Sequence, residues 1–189
     1  MVLKARILFG LIALASLTAC TDDTTSTYSQ RERVFCLLDV TKSDVLFNVI
    51  GNSGSFATVR ERVVDGTTQI EIISNSGVKG YYPYDRLSNN FYFGLGGLIM
   101  GTSTQVDSDG DGNFINVCYD LACPICDRVD RRLTLTVDGY AKCAKCGVTY
   151  NMNNNGAIDH VPEGAEITSP RGLYQYRLDY DGQTIYAHN

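Results

Sequence analysis

Cys123-Pro124-Ile125-Cys126, sixteen residues, then Cys143-Ala144-Lys145-Cys146 is the stretch around which this chain is organised. Two intervening residues let a tight turn aim both sulfurs of a pair at one point, and two such knuckles separated by about 15–20 residues match the general four-cysteine metal pattern. The expectation is a tetrahedral thiolate site on Cys123, Cys126, Cys143 and Cys146. Two small disulfides, or a thiol–disulfide exchange motif, are the alternatives that the same residues allow. Four thiolates would close the shell of a metal ion and leave no open position for water, which points away from catalysis.

The residues around the cysteines narrow the architecture. Pro124 follows the first ligand, Gly147 follows the last, and Tyr150, Asn151 and Gly156 come after it. This resembles the Rieske domain, in which a Cys-Pro-His loop is followed by a Cys-x-x-His-Gly loop, an aromatic residue, a turn glycine and a closing hairpin. The likeness runs from Tyr119 to the C-terminus, and it implies a multi-sheet β sandwich. The chain departs from the family where histidines are expected, because Cys126 and Cys146 stand there and the first loop is one residue longer. In a Rieske centre two histidines hold one iron and raise the potential of the cluster. With cysteines in their place, the two-iron two-sulfur cluster becomes an alternative to zinc, and any electron-transfer role, on such a cluster or on a rubredoxin-like single iron, would be at low potential.

The N-terminus reads as a targeting segment. Lys4 and Arg6 form a positive n-region, Ile7 to Leu17 is an apolar run too short for a comfortable membrane span, and small residues precede Cys20. Leu17-Thr18-Ala19-Cys20 resembles a bacterial lipobox. That implies a signal peptide at 1–19 and lipidation of Cys20, which anchors the chain to a bilayer without spanning it. Residues 20–30 read as a polar tether. The acidic Asp22-Asp23 pair resembles the surface-export signal of Bacteroidetes lipoproteins, so the expected location is the bacterial outer membrane, on its periplasmic or external face. The n-region lacks a twin-arginine pair, which implies export of an unfolded chain. Zinc can be captured after export, whereas an iron–sulfur cluster is normally assembled before it; zinc is favoured.

Residues 31–189 are expected to form one β domain, with a metal-binding, zinc-ribbon-like lobe at about 119–156. Val34 to Val40, Asp44 to Ile50, Phe56 to Val59, Gln69 to Ile73 and Phe91 to Met100 read as strands, being short apolar or alternating runs separated by turn residues. Asn52-Ser53-Gly54, Asp65-Gly66 and Ser76-Gly77 mark turns. Tyr174, Tyr176, Leu178 and Tyr180 alternate along one strand face, and Asp181-Gly182 turns the chain into Thr184-Ile185-Tyr186. Leu133, Leu135 and Val137, between the knuckles, are expected to tie the lobe to the core. The fold class is therefore all-β, a multi-sheet β sandwich or open barrel.

The net charge of −5 becomes more negative once Lys4 and Arg6 leave with the signal. No basic stripe remains to track phosphates, so nucleic acid is not an expected partner. Asp107-Ser108-Asp109-Gly110-Asp111-Gly112 begins like a calcium loop, but its twelfth position is Cys118 and not an acid, so it reads as a solvated hairpin loop. Gly51 to Ser55 lacks the closing glycine of a nucleophile elbow, and Gly94-Leu95-Gly96-Gly97 lacks the third glycine of a dinucleotide loop. His160 and His188 couple to no cysteine by spacing. No catalytic residue is therefore expected. Cys36 and Cys118 lie in strands and could form a disulfide, or stay as buried thiols.

Overall fold

Strand-forming residues fill almost every described segment of the computed structural model, which covers residues 28–84, 90–107, 112–165, 167 and 169–189. The signal segment, Cys20 and most of the tether lie outside the described residues, as do positions 108–111 of the acidic loop. The order is β1 (Val34–Asp39), a 3-10 turn (Val40–Lys42), α1 (Asp44–Val49), β2 (Ser55–Val64), β3 (Thr67–Ser74), β4 (Lys79–Tyr82), β5 (Tyr92–Phe93), β6 (Leu98–Val106) and β7 (Phe114–Asp120). Then come β8 (Leu133–Leu135), β9 (Tyr140–Cys143), β10 (Thr149–Asn151), β11 (Ala157–His160), β12 (Gln175–Tyr180) and β13 (Thr184–His188).

Nine strands make one curled antiparallel sheet in the order β4-β3-β2-β6-β7-β12-β13-β1-β5, and four make a smaller sheet in the order β11-β10-β9-β8. Period-two alternation sends the large sheet's side chains into two separate cores. Ala57 and Val59 of β2, Leu98 and Met100 of β6, Cys118 of β7 and Tyr176 of β12 fill the inside of the curl. Their neighbours Phe56, Ile99, Val117 and Tyr119 point outward, and Leu133, Ala141, Cys143, Val148, Tyr150 and Met152 of the small sheet and its loops cover them. The centre of the large sheet is thus buried on both faces, which is why Leu98-Ile99-Met100 is a continuous apolar run.

Two of the expected strands are corrected. Asp44–Val49 is helical: Ser43 accepts from Leu46 N through its hydroxyl at 3.4 Å, Asp44 supplies the acidic first turn, and Val45, Leu46 and Val49 are buried. Burial at those three positions follows a helical face, and Phe47, which strand alternation would bury beside Val45, is 60% exposed. Phe91 to Met100 is two strands and not one, because Gly94 has φ 66° and the chain turns over Gly94–Gly96 between β5 and β6. β2 and β3 also run longer than expected, joined by the Asp65-Gly66 turn and paired from Ala57↔Ser74 to Val64↔Thr67. Tyr176 is buried on β12, with Tyr174, Leu178 and Tyr180 packed partly against the same core.

Cys36 and Cys118 are both fully buried in the larger core as free thiols. Burial pushes both thiols well above the ordinary cysteine range.

Candidate metal centre

Each knuckle is built by the same backbone bond. Asp127 N donates to Cys123 O at 2.8 Å in the first, and Gly147 N to Cys143 O at 2.9 Å in the second. Both turns end on a residue of positive φ, Asp127 at 51° and Gly147 at 75°. Glycine reaches that region without a Cβ clash, and aspartate is among the few other residues that tolerate it. The first cysteine of each pair is tied to the strand behind its knuckle, Cys123 N to Arg131 O at 2.8 Å and Cys143 N to Val148 O at 3.0 Å.

Those bonds aim four sulfurs at one point. Cys123 Sγ lies 3.6 Å from Cys146 Sγ, Cys126 Sγ lies 3.7 Å from Cys143 Sγ, and all four ligand atoms fall within 4.8 Å of one another. Both of the 3.6 and 3.7 Å contacts join a sulfur of one knuckle to a sulfur of the other. For one ion at the ~2.3 Å of a zinc–thiolate bond, a tetrahedron has sulfur–sulfur edges of about 3.8 Å. The donor set and the spacing both fit a metal ion.

Cys123 and Cys143 are buried, while Cys126 and Cys146 reach partly to the surface. Burial raises the Cys126 thiol, and its thiol neighbours Cys143 and Cys123 raise it further. Burial likewise lifts Cys146 to about 11, reinforced by Cys143 and Cys123. At Cys143 burial also pushes upward, but backbone amides of Cys146 and Lys145 bond the sulfur and bring the net shift below the ordinary value. Such a cluster resists accumulating thiolates unless a cation is placed among them.

Tyr150, the aromatic residue after the second knuckle, supports the site together with Asp120, Arg31 and Tyr174, which no motif in the sequence tied to it. Tyr150 on β10 sets its hydroxyl 3.5 Å from Cys123 Sγ, and burial raises the phenol's pKa. Asp120, at the end of β7, is fully buried and accepts from Leu95 N (2.7 Å), Gly96 N (3.0 Å), Ala122 N (2.7 Å) and Tyr176 Oη (2.9 Å), fixing the strand that leads into the first knuckle. Arg31 pairs with Asp127 at 2.7 Å, and Tyr174 Oη donates to the same carboxylate at 3.2 Å. The first knuckle is thereby latched to both the chain's N-terminal arm and the segment before β12.

The remaining expected features fall elsewhere. His188 pairs with Asp179 at 2.9 Å across β13 and β12, and His160 is exposed at the end of β11; neither joins the cysteines. Leu133 is buried and Leu135 partly so, as expected of a strand tying the lobe to the core. Val137 is not, being 69% exposed beyond the end of β8. Among the described residues no helix is long and apolar enough to cross a membrane. No protein-family model, curated protein or solved structure matches this chain.

Proposed function

We propose that this chain is an envelope lipoprotein of Rieske-like architecture, anchored through Cys20, whose four cysteines hold one structural zinc ion. The carrying observation is the mutual approach of four sulfurs to within 4.8 Å. One ion bonded at ~2.3 Å can keep no two ligands more than about 4.6 Å apart, close to that span. A two-iron cluster must share its thiolates between two metals, which adds the iron–iron separation to the distance between the pairs. The compact spacing supports a single ion. Complete thiolate ligation without an open position supports a structural and non-catalytic role.

In that role Cys123 and Cys126 fix the first knuckle, and Cys143 and Cys146 fix the second. The ion supplies the cross-link between them. The knuckle segment Asp127 to Arg132 carries three arginines and two aspartates against one valine, too little apolar surface to hold itself in place. The small sheet would then keep its buried face against Phe56, Ile99 and Tyr119.

One observation favours a second reading on the same ligands. Cys126 and Cys146 reach the surface, the placement an electron carrier with a rubredoxin-like single iron would need. Elemental analysis with an absorption spectrum separates the two. About one zinc per chain and no visible band is the expected result; iron with a band that reductant bleaches would replace the structural role with electron transfer.

A further inference from the structure

β8 is the outermost strand of the small sheet, and its backbone polarity can be read from its pairing. Thr136 N donates to Tyr140 O at 2.8 Å, so Thr134 and Thr136 turn their peptide groups toward β9, while Leu133, Leu135 and Val137 turn theirs away. Leu133 N finds Leu121 O at 2.9 Å, and Val137 O accepts from Asn75 Nδ2 at 3.3 Å. Between them, the N–H and C=O of Leu135 have no partner among the described residues.

This free edge looks into a trough and not into open water. A hollow of ≈ 430 Å³ lies between β8 and the outer face of β2 and β3, with Thr58, Arg60 and Ile73 on the opposite wall. Leu133, Thr134 and Leu135 all line it although their side chains alternate, as happens when the backbone edge itself faces inward. The volume falls within the roughly 300–1,000 Å³ of ordinary ligand sites.

Two arginines, Arg60 and Arg132, line the trough and no carboxylate is among its described lining residues, in a chain of net charge −5. Arg60, Arg62 and Lys79 converge on the single buried carboxylate of Glu71, each at 2.6 Å. Arg132 donates through Nε to Gly96 O at 2.7 Å and has no carboxylate partner among the described residues. Glu61, beside Arg60 on β2, lines an adjoining hollow with Arg60 and Arg132 and offsets one of these four positive charges. Cationic charge therefore exceeds anionic charge along one wall and one end of the trough.

We propose that this trough docks an extended acidic segment of a partner protein, which adds to β8 as a fifth strand of the small sheet and sets a carboxylate against Arg60 and Arg132. Strand addition supplies affinity through the main chain, and the arginines select the side chain. A second copy of this chain is a poor occupant, because a β8 recessed in its own trough cannot be presented to another. The inference does not depend on which metal the cysteines hold.

The test uses the metal-loaded full-length protein and a fluorescein-labelled peptide, Thr-Val-Glu-Val-Glu-Val-Thr, followed by anisotropy. Saturable binding is expected, weaker by about tenfold or more when both glutamates become glutamine, consistent with loss of charge-assisted hydrogen bonds. Leu135→Pro removes an N–H that has no partner among the described residues, at an edge position where proline is tolerated. It should weaken binding at least tenfold while metal content and circular dichroism stay unchanged. If that variant misfolds, Thr58→Tyr fills the trough from the other wall and must give the same loss. Absence of saturable binding, or equal binding to the wild type and a folded variant, overturns the proposal. So does concentration-dependent self-association that Leu135→Pro abolishes, which would make the occupant another copy.

Discussion

Cys143→Ser is the substitution that most directly probes what holds the small sheet in place. Cys143 is 1% exposed, its amide bonds Val148 O at 3.0 Å, and its carbonyl accepts from Gly147 N at 2.9 Å. Serine keeps both backbone bonds and nearly the same shape, so the change isolates the sulfur, which lies 3.7 Å from Cys126 Sγ. A hydroxyl is a much harder and weaker ligand for zinc than a thiolate. Structural zinc contributes about 10–16 kcal/mol in peptides that have little other core, so one ligand in four is worth about 2.5–4 kcal/mol there. Here Phe56, Ile99 and Tyr119 also grip the lobe, and the expected loss is about 2–4 kcal/mol. At roughly 2–4 °C per kcal/mol for a chain of this size, melting should fall by about 5–15 °C. The assay is a calorimetric melt with and without chelator, together with elemental analysis of both proteins. Chelated wild type should melt close to the chelated variant, because both have lost the same cross-link. A variant that keeps one metal per chain and the wild-type melting point would refute the reasoning, as would a wild type whose melting ignores the chelator.

Stripped of metal and oxidised, the protein should form Cys123–Cys146 and Cys126–Cys143 cross-links, since those sulfurs stand at 3.6 and 3.7 Å and need close only to about 2.05 Å; peptide mapping that found 123–126 and 143–146 instead would contradict the geometry. Burial pulls the Glu71 carboxyl upward, but bonds from Lys79, Arg60 and Arg62 outweigh it and hold the pKa at about 2. A depressed carboxylate contributes stability that is fully present above about pH 4.5 and is lost as pH falls toward 2. At about 1.36 kcal/mol per pKa unit the contribution is at most about 3 kcal/mol, and roughly 1–2 kcal/mol after allowing for the exposed cations. Glu71→Gln should therefore flatten the acid limb of a stability–pH curve; an unchanged acid limb would remove Glu71 from the account. Phe56→Ala empties the contact between the two sheets and should cost about 3–5 kcal/mol in a denaturant titration, while Ser43→Ala, which removes the cap of α1, should cost about 1 kcal/mol.

The four-cysteine cluster was legible because thiolate ligation favours local spacing: two intervening residues let a tight turn bring both sulfurs of a pair to one point. Alternation made the strands legible for a similar reason, and it carried Tyr176 to its buried place on β12. It failed at Asp44–Val49, where a six-residue helix is too short to display a full period and the decisive signals were Ser43 before it and Gly51 after it. It failed again at Gly94–Gly96, where apolar residues on both sides hid a turn that glycine alone announces.

What could not be read from the sequence is pairing between residues far apart in the chain. Arg60, Glu71 and Lys79 belong to three strands and meet only because β2-β3-β4 form a meander in one register. Asp120 acquires its four donors from residues on both sides of it and from Tyr176, in another strand altogether. The same registration leaves β8 at the edge of its sheet, with the outward N–H and C=O of Leu135 unbonded among the described residues. A centre that fixes both knuckles also fixes the strand between them, so the four cysteines would hold the free edge at a constant distance from Arg60. Cys143→Ser should consequently weaken peptide binding in the trough as well as melting, although none of the four sulfurs lines it. If the variant lost its metal yet bound the peptide unchanged, the lobe would be held by its apolar face alone and the two sites would be independent.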